Sequence, residues 1–324
     1  MMLLSRIAED LYWLGRNMER AESVSRLVRE HTNLLVDLPV DVDSNWAALL
    51  TVTGSQDAFV QRYHRFGEAE VITFLMADGD NPGSMLHSIN AARENLREVR
   101  PLVPRSAWEC LNRLGLDAPR EAGRCARRRE RTAVTERVMA SCEQFNGIMS
   151  GTMNRDHAYR FWLLGRLVEI ADMTTRVLDV GAGTLMASSG PDGRPPADRS
   201  PYEDVRWLGV LRALAGHNMY HRSSGQSVSA AGVVRFLLTD PDFPRSVRHC
   251  ATQIEALLGD LPPRPRAIEA VAPLTRCTEL RMSPSDPFVL HRHVDELQRC
   301  LAAVHVAITD SYFRTSGEPV AAAS

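Results

Sequence analysis

Hydrophobic residues between Leu4 and Leu35 advance by alternating steps of three and four, which is the spacing of one face of an α-helix. A second stripe with the same spacing runs from Phe161 to Leu178. Each stripe predicts a long helix with one side on a hydrophobic core. Shorter helices are predicted over Met85–Val99 and Val247–Leu258. Because segments that alternate with period two are nearly absent, the pattern predicts an all-α fold.

The chain also resembles itself. The segment 14–22, with the sequence LGRNMERAE, recurs at 164–172 as LGRLVEIAD. Later pairs of markers keep the same order in both copies: Trp46 and Trp207, Tyr63 and Tyr220, and Ser84 and Ser246. Self-similarity of this kind indicates an internal duplication. We therefore expect a two-lobed helical bundle with pseudo-twofold symmetry.

The repeat also predicts the organisation of the chain. We assign residues 1–150 to a first helical half-repeat and residues 151–315 to a second one, which packs against the first as one body. The Gly/Pro-rich segment 188–200 is typical of a surface loop that tolerates insertion. We expect residues 316–324 to form a disordered tail.

A polar stripe accompanies the apolar one in both predicted long helices. Its charged members are Arg16, Glu19 and Arg26 in the first copy, and Arg166, Glu169 and Arg176 in the second. One interpretation is a buried ladder of ion pairs that fixes the helix register where the two halves meet. The other is a polar chamber in which arginine clamps a carboxylate or phosphate and glutamate accepts a proton. The sequence leaves both open.

Two serines and two glycines invite catalytic interpretations that their context does not favour. Ser84 and Ser246 precede predicted helices and lack a G-x-S-x-G frame, so we expect them to cap first-turn N–H groups. The segment around Gly181 and Gly183 resembles the glycine-rich loop of S-adenosylmethionine-dependent methyltransferases. Because it follows a predicted helix instead of a strand, we expect these glycines to end that helix in a left-handed cap.

The composition excludes several types of reaction, because the chain contains no lysine. All 38 Lys+Arg residues are arginines. Because it has no lysine, the chain cannot form a lysine Schiff base and has no Walker-type lysine to contact a phosphate. It also cannot be an ordinary lysine-dependent kinase. Guanidinium groups stay protonated at ordinary pH, so the cationic side chains bind anions and cannot serve as bases.

Charge and cysteine usage limit the partners and the compartment. A net charge of −2 argues against a nucleic-acid surface, and the arginines between Arg120 and Arg137 are interspersed with glutamates, as on a solvated helix. The six cysteines include no C-x-x-C pair, the N-terminal segment does not have the pattern we would expect of a signal peptide, and no apolar run reaches membrane-spanning length. We expect a cytoplasmic protein outside the membrane. His217 and His221 lack a further ligand motif, so we predict no metal and no cofactor.

Four spaced motifs carry a family resemblance. They are the segment 12–22 with Glu19-Arg20, Asn81-Pro82-Gly83-Ser84, Ala92-Arg93-Glu94-Asn95 and Pro244-Arg245-Ser246. Together they resemble the bacterial alpha-E family, an all-helical domain of unknown function named for its Glu-Arg motif. The resemblance extends to about residue 315. At Ile170 the second copy lacks the arginine that would match Arg20.

The resemblance implies partners and assigns no reaction. Family members are typically encoded beside, or fused to, a circularly permuted ATP-grasp-type ligase, often near a transglutaminase-like peptidase. We therefore expect a helical accessory or binding partner of an ATP-grasp-type peptide or amide ligase, with Arg/Glu-lined sites for a carboxylate-bearing peptide or intermediate. The alternative is an enzyme acting on an amide or activated acyl intermediate, with Glu19 or Glu169 as base. The candidate ligand or interaction residues are Arg16, Arg20, Arg26, Arg166, Arg176, Asn81, Ser84, Arg93, Arg245 and Ser246.

Overall fold

The structure, a computed structural model, describes residues 3–37, 46–187, 203–225, 227–279 and 287–314. In these ranges the chain forms helices and no strands, which confirms the all-α prediction. The helices of the first 187 residues are α1 (Ser5–Asp37), α2 (Ala47–Thr53), α3 (Gln56–Val60), α4 (Glu68–Met76), α5 (Met85–Glu98), α6 (Arg105–Cys125), α7 (Arg128–Thr152) and α8 (His157–Ala187). They are followed by α9 (Glu203–Ala213), α10 (His217–Ser224), α11 (Ala230–Thr239), α12 (Val247–Asp260), α13 (Pro265–Glu269), α14 (Val271–Cys277) and α15 (Pro287–Ile308).

The two longest helices form the centre of the molecule. The apolar stripe of α1 is buried, with Leu11, Leu14 and Met18 fully inaccessible to solvent. α1 packs most extensively against α8, while α5 and α7 cover its other sides and α15 packs on α8. Burying one stripe of each helix in this way supplies most of the stability that such helices lack in isolation. Within the described ranges, none of the helices combines the length and apolar composition needed to cross a bilayer.

α1 and α8 approach so closely that only glycine fits at their crossing. A Cβ atom on Gly15 would lie 2.1 Å from the carbonyl oxygen of Trp162, and one on Gly165 would lie 1.9 Å from that of Tyr12. Both distances are far inside van der Waals contact, so any side chain would push the helices apart. The reciprocal glycine contacts bring the polar stripes of the two helices within hydrogen-bonding reach of each other.

The two predicted serine caps are confirmed, and their geometries match. Ser84 Oγ accepts a hydrogen bond from the backbone N–H of His87 at 3.0 Å, and Ser246 Oγ accepts one from His249 at 3.0 Å. Each serine also donates to a carbonyl six residues earlier in the chain. These bonds satisfy first-turn N–H groups and fix the loops that enter α5 and α12.

The expectation that Gly181 and Gly183 end a helix is wrong. α8 continues through both residues to Ala187. Gly181 packs against Trp207, where a Cβ atom would meet the indole ring at 3.3 Å. Packing of this kind outweighs the weak helix propensity of glycine. In the described residues, the glycines with positive φ are Gly54 and Gly225.

The division into two half-repeats stays a prediction. Its boundary at residue 150 falls in the last turn of α7. The predicted loop 188–200 and the predicted tail 316–324 lie outside the described residues.

Candidate functional site

The polar stripes of α1 and α8 meet in a network that we call the Arg–Glu ladder. Its members are Arg16, Glu19, Arg20, Glu22, Arg26, Arg166, Glu169 and Arg245. Most come from α1, two come from α8, and Arg245 comes from the loop that precedes α12. The structure thus brings together both candidate bases and most of the candidate arginines.

Glu169 receives its partners entirely from α1. Arg16 donates from Nε to Glu169 Oε2 at 2.7 Å. Arg20, one turn later, donates from Nε to Oε1 at 2.6 Å and from Nη2 to Oε2 at 2.9 Å. The second arrangement is the bidentate fork in which guanidinium and carboxylate geometries match best. Arg20 belongs to the Glu-Arg motif, so this pairing gives the motif a structural role.

Glu19 receives its partners from two different elements. Arg166 of α8 lies with Nε 3.2 Å from Glu19 Oε2, and Arg245 donates from Nη1 to Oε1 at 2.6 Å. The hydroxyl of Thr174 in α8 holds the backbone carbonyl of Arg245 at 2.9 Å. Arg245 therefore supplies the second guanidinium that α8 lacks, because Ile170 stands where a match to Arg20 would be.

Glu22 extends the ladder on the side of Glu19. Arg245 donates from Nη2 to Glu22 Oε1 at 2.9 Å, and Arg26 donates to the same oxygen. Asn146 of α7 donates to the other oxygen at 3.3 Å. Burial and the neighbouring Glu19 carboxylate raise the pKa of Glu22 above its ordinary value. Glu22 is therefore the carboxylate of the ladder that takes up a proton most readily.

The two candidate bases of the ladder are buried. Glu19 is 0% exposed and Glu169 is 2% exposed. Burial by itself raises the pKa of Glu169, but Arg20 and Arg16 outweigh it and lower the pKa to about 2. For Glu19 burial is likewise outweighed, chiefly by Arg245, and its pKa is lowered. Buried, ionised carboxylates that each face two guanidinium groups favour the ion-pair interpretation of the stripe over a chamber at the ladder itself.

An open cavity of about 480 Å³ lies beside the ladder, and we call it the Arg16 cavity. It is lined by Arg16, Val168, Asp172, Arg176, Asp295, Gln298, Arg299, Leu301, Ala302 and His305. The volume lies in the range of small-molecule sites in proteins. Arg16 is 8% exposed and belongs to both the ladder and the cavity, because its Nε donates to Glu169 and its side chain is part of the cavity lining.

A neutral histidine stands in the wall of this cavity. Burial and the nearby Arg16 guanidinium lower the pKa of His305 to about 4, so its ring is uncharged at neutral pH. Burial raises the pKa of Tyr12 to about 12, so its hydroxyl keeps its proton, and its oxygen shares a hydrogen bond with His305 Nδ1 at 2.9 Å. A neutral imidazole has one donor and one acceptor nitrogen, so His305 offers the cavity hydrogen-bonding capacity without charge.

The remaining candidate residues lie outside the ladder. Arg176 lines the Arg16 cavity and donates from Nε to Asp172 at 3.0 Å. Arg93 donates to Asn112 at 2.9 Å, between α5 and α6. Asn81 donates to the carbonyl of Phe74 at 2.9 Å and shapes the loop before α5. Together with the two serine caps, Arg93 and Asn81 hold helices and loops in place.

The α15 residues of the cavity were missed by sequence reasoning. Asp295, Gln298, Arg299 and His305 share one helical face through their spacing of three, four and ten residues from Asp295. In the sequence, that spacing was the signal that these side chains lie on one face of a helix. It could not be interpreted without knowing that this face of α15 packs beside α1 and α8, because the repeated segments do not include α15.

One group of potential metal ligands occurs in the part of the chain that the structure describes. Asp179, His291 and Asp295 place one ligand atom each within 4.8 Å of one another. His291 Nδ1 bonds Asp179 at 2.5 Å, and Nε2 lies 3.8 Å from Asp295. The hydrogen bond to Asp179 raises the pKa of His291. With both ring nitrogens facing carboxylates, this arrangement favours the protonated form of the imidazole.

Comparisons with known proteins agree with the architecture. The chain is similar to uncharacterised proteins of Mycobacterium bovis (25% identity) and Mycobacterium tuberculosis (24% identity), each over 335 residues. The match covers 94% of the chain but 36% of each relative, so the chain spans about a third of their length. No solved structure matches it. The model of the Alpha-E family, described as a predicted alpha-helical domain with a conserved ER motif, matches residues 3–313, and the chain therefore belongs to the Alpha-E family.

Proposed function

We propose that the protein is a cytoplasmic helical binding partner of an ATP-grasp-type peptide or amide ligase, and that it holds a carboxylate of a peptide or intermediate in the Arg16 cavity. The partnership, and with it a place in peptide modification, rests on the family resemblance. A transglutaminase-like peptidase is a second candidate partner on the same ground. The proposal that the ligand carries a carboxylate rests on the placement of Arg16.

The placement of Arg16 carries the proposal. A guanidinium has five N–H donors, and the one on Nε is used by Glu169. Because Glu169 and the surrounding helices hold this cavity-lining side chain at 8% exposure, little conformational entropy would be lost when it binds a ligand. A preorganised, partly desolvated arginine binds carboxylates more strongly than a freely solvated one.

The charge of the cavity agrees with an anionic ligand. Its wall contains the arginines Arg16, Arg176 and Arg299 against the aspartates Asp172 and Asp295. This leaves an excess of one positive charge, since His305 is neutral at pH 7. The neutral His305 ring and the Gln298 amide add hydrogen-bonding capacity for a peptide end, and Val168, Leu301 and Ala302 provide apolar contact.

Calorimetric titration with trialanine and with trialanine amide tests the carboxylate. We expect the free acid to bind the wild-type chain and the amide to bind at least about 10-fold more weakly, because one charge-assisted contact is lost. Arg299→Ala removes the excess positive charge of the cavity wall and should weaken trialanine binding by about 10-fold. Since Arg299 is exposed on α15, its truncation leaves the buried ladder intact.

Arg105→Ala is the matched control, because Arg105 is 90% exposed on α6 and its loss changes the net charge equally. Equal binding of acid and amide, or equal effects of the two arginine variants, would overturn the carboxylate site. The partnership is tested separately by co-expression with an ATP-grasp-type ligase from the same genome. Failure of the two chains to co-elute, with ligase output unchanged, would refute that part alone.

The enzyme alternative has less support. A carboxylate with a pKa of about 2, such as Glu169, is a weak base near neutral pH. Glu19→Gln separates the two ideas. If the protein is an enzyme with Glu19 as base, the variant should lose turnover and keep its fold, whereas if Glu19 is a structural member of the ladder, the substitution should lower the melting temperature.

We also infer that the chain is an internal duplication with pseudo-twofold symmetry. The reciprocal Gly15 and Gly165 contacts and the matching serine caps support this inference.

A further inference from the structure

Two of the cysteine side chains are half-exposed and touch each other. Cys277 is the last residue of α14 and Cys300 lies in α15, with the Sγ atoms 3.9 Å apart. A disulfide needs a separation of about 2.0 Å, so the sulfur atoms must approach by about 2 Å, which rotation about the Cα–Cβ bonds can supply. The other cysteines are buried: Cys110, Cys125, Cys142 and Cys250.

Both thiols line a second open cavity, of about 790 Å³. Its charged residues are Arg276, Arg292 and Arg299 against Glu279, Asp295 and Glu296. These positive and negative charges balance, so the cavity has no net charge that would favour an anionic or a cationic reactant. A cavity of this volume admits a small disulfide molecule to the two sulfur atoms.

The two thiols differ in reactivity. Burial, followed by Cys300 and Glu296, raises the pKa of Cys277 to about 12, which keeps this thiol protonated. The thiolate is the attacking species in exchange with a disulfide. Cys277 is therefore disfavoured as the first attacking sulfur. Once Cys300 is part of a mixed disulfide it carries no negative charge, and one cause of the raised pKa of Cys277 disappears.

We propose that Cys277 and Cys300 form a reversible modification site, at which a small disulfide converts the two thiols into an intramolecular disulfide bond. The Cys300 thiolate attacks the small disulfide, forms a mixed disulfide and releases one small thiolate. Cys277 then loses its proton to solvent and attacks Cys300 Sγ, which releases the second small thiolate. Two protein thiols are oxidised, and one small disulfide is reduced to two thiols.

The bond would tie the end of α14 to the middle of α15. Cys300 follows Arg299, which lines both cavities, and precedes Leu301 of the Arg16 cavity. Oxidation would therefore fix the part of α15 that forms one wall of the Arg16 cavity. The modification itself does not depend on what that cavity binds.

The experiment treats the folded, full chain with oxidised glutathione and measures its intact mass and free thiols. We expect a mass lower by about 2 Da than that of the reduced chain, reversal by dithiothreitol, and a Cys277–Cys300 link in peptide maps. Cys277→Ser should stop at a glutathione adduct on Cys300. Cys300→Ser should not form the bond.

Cys110→Ser is the matched control. The Cys110 thiol already donates to oxygen atoms of Ser141 and Gln144, which a serine hydroxyl can replace. This variant should form the Cys277–Cys300 bond as the wild type does. The proposal is overturned if all six thiols stay free in the folded chain, if other cysteines pair, or if the bond forms only in urea.

Discussion

Glu19 and Glu169 hold matching positions in α1 and α8, yet they are neutralised in different ways. Glu169 takes both guanidinium groups from one helix, Arg16 and Arg20 of α1. Glu19 takes one from α8 and one from Arg245, which is 226 residues away in the chain. The difference shows that a buried carboxylate needs guanidinium groups to neutralise it. These groups can come from one neighbouring helix or from parts of the chain that are far apart in sequence.

The cost of leaving a buried charge unpaired explains this compensation. Removing one partner of a buried ion pair typically costs about 3–5 kcal/mol, because the remaining charge stays in a medium of low polarity. Ile170 removes a potential partner from α8. Arg245 restores the balance at Glu19 and at the same time reaches Glu22.

The largest expected effect breaks the close crossing of α1 and α8. We expect Gly15→Ala and Gly165→Ala each to lower the free energy of unfolding by more than about 3 kcal/mol, since each new Cβ would collide with a backbone oxygen. Urea denaturation measures the change, and soluble yield records a variant that fails to fold.

Gly147→Ala in α7 is the control for helix propensity. A Cβ atom there would meet nothing within 4 Å, so this variant should gain up to about 1 kcal/mol. A well-folded, stable Gly15→Ala variant beside an unstable Gly165→Ala variant would show that the two contacts are not equivalent.

An intermediate effect compares the two ends of the ladder. We expect Arg245→Ala to cost about 3–5 kcal/mol of unfolding free energy, and Arg20→Ala to cost less. Arg245 serves both Glu19 and Glu22, whereas Arg20 serves Glu169, which keeps Arg16. Urea unfolding of the two variants gives the order.

The matched control is Arg248→Ala, which removes an exposed arginine three residues after Arg245. It should change stability by less than about 0.5 kcal/mol. If Arg20→Ala proves the more damaging substitution, Arg245 is not the compensating partner that its contacts indicate.

The smallest expected effect concerns the two serine caps, which have the same hydrogen-bond geometry. Ser84→Ala and Ser246→Ala should each cost about 1 kcal/mol, because each serine accepts an N–H bond at 3.0 Å. Thermal unfolding of the two variants should give the same shift. A clearly larger loss for Ser246→Ala would mean that its cap also holds Arg245 in place.

Several features could be predicted from the sequence because they depend on near neighbours. The stripes that form α1 and α8, the shorter helices α5 and α12 and the caps at Ser84 and Ser246 follow from spacing within a few turns. The error at Gly181 has the same origin. A local signal for a helix end was overruled by Trp207, which lies 26 positions later and packs against that glycine.

The sequence by itself determined the helical fold, the polar stripes and the presence of arginine as the one strongly basic side chain. Only the tertiary structure decided that the stripes close into a ladder, that Arg245 completes it, and that α15 adds a cavity and a pair of thiols. Helical periodicity places residues on a face, but it does not say which face meets which. That is settled by the packing of helices far apart in the chain, such as α1 with α8 and α15 with α8.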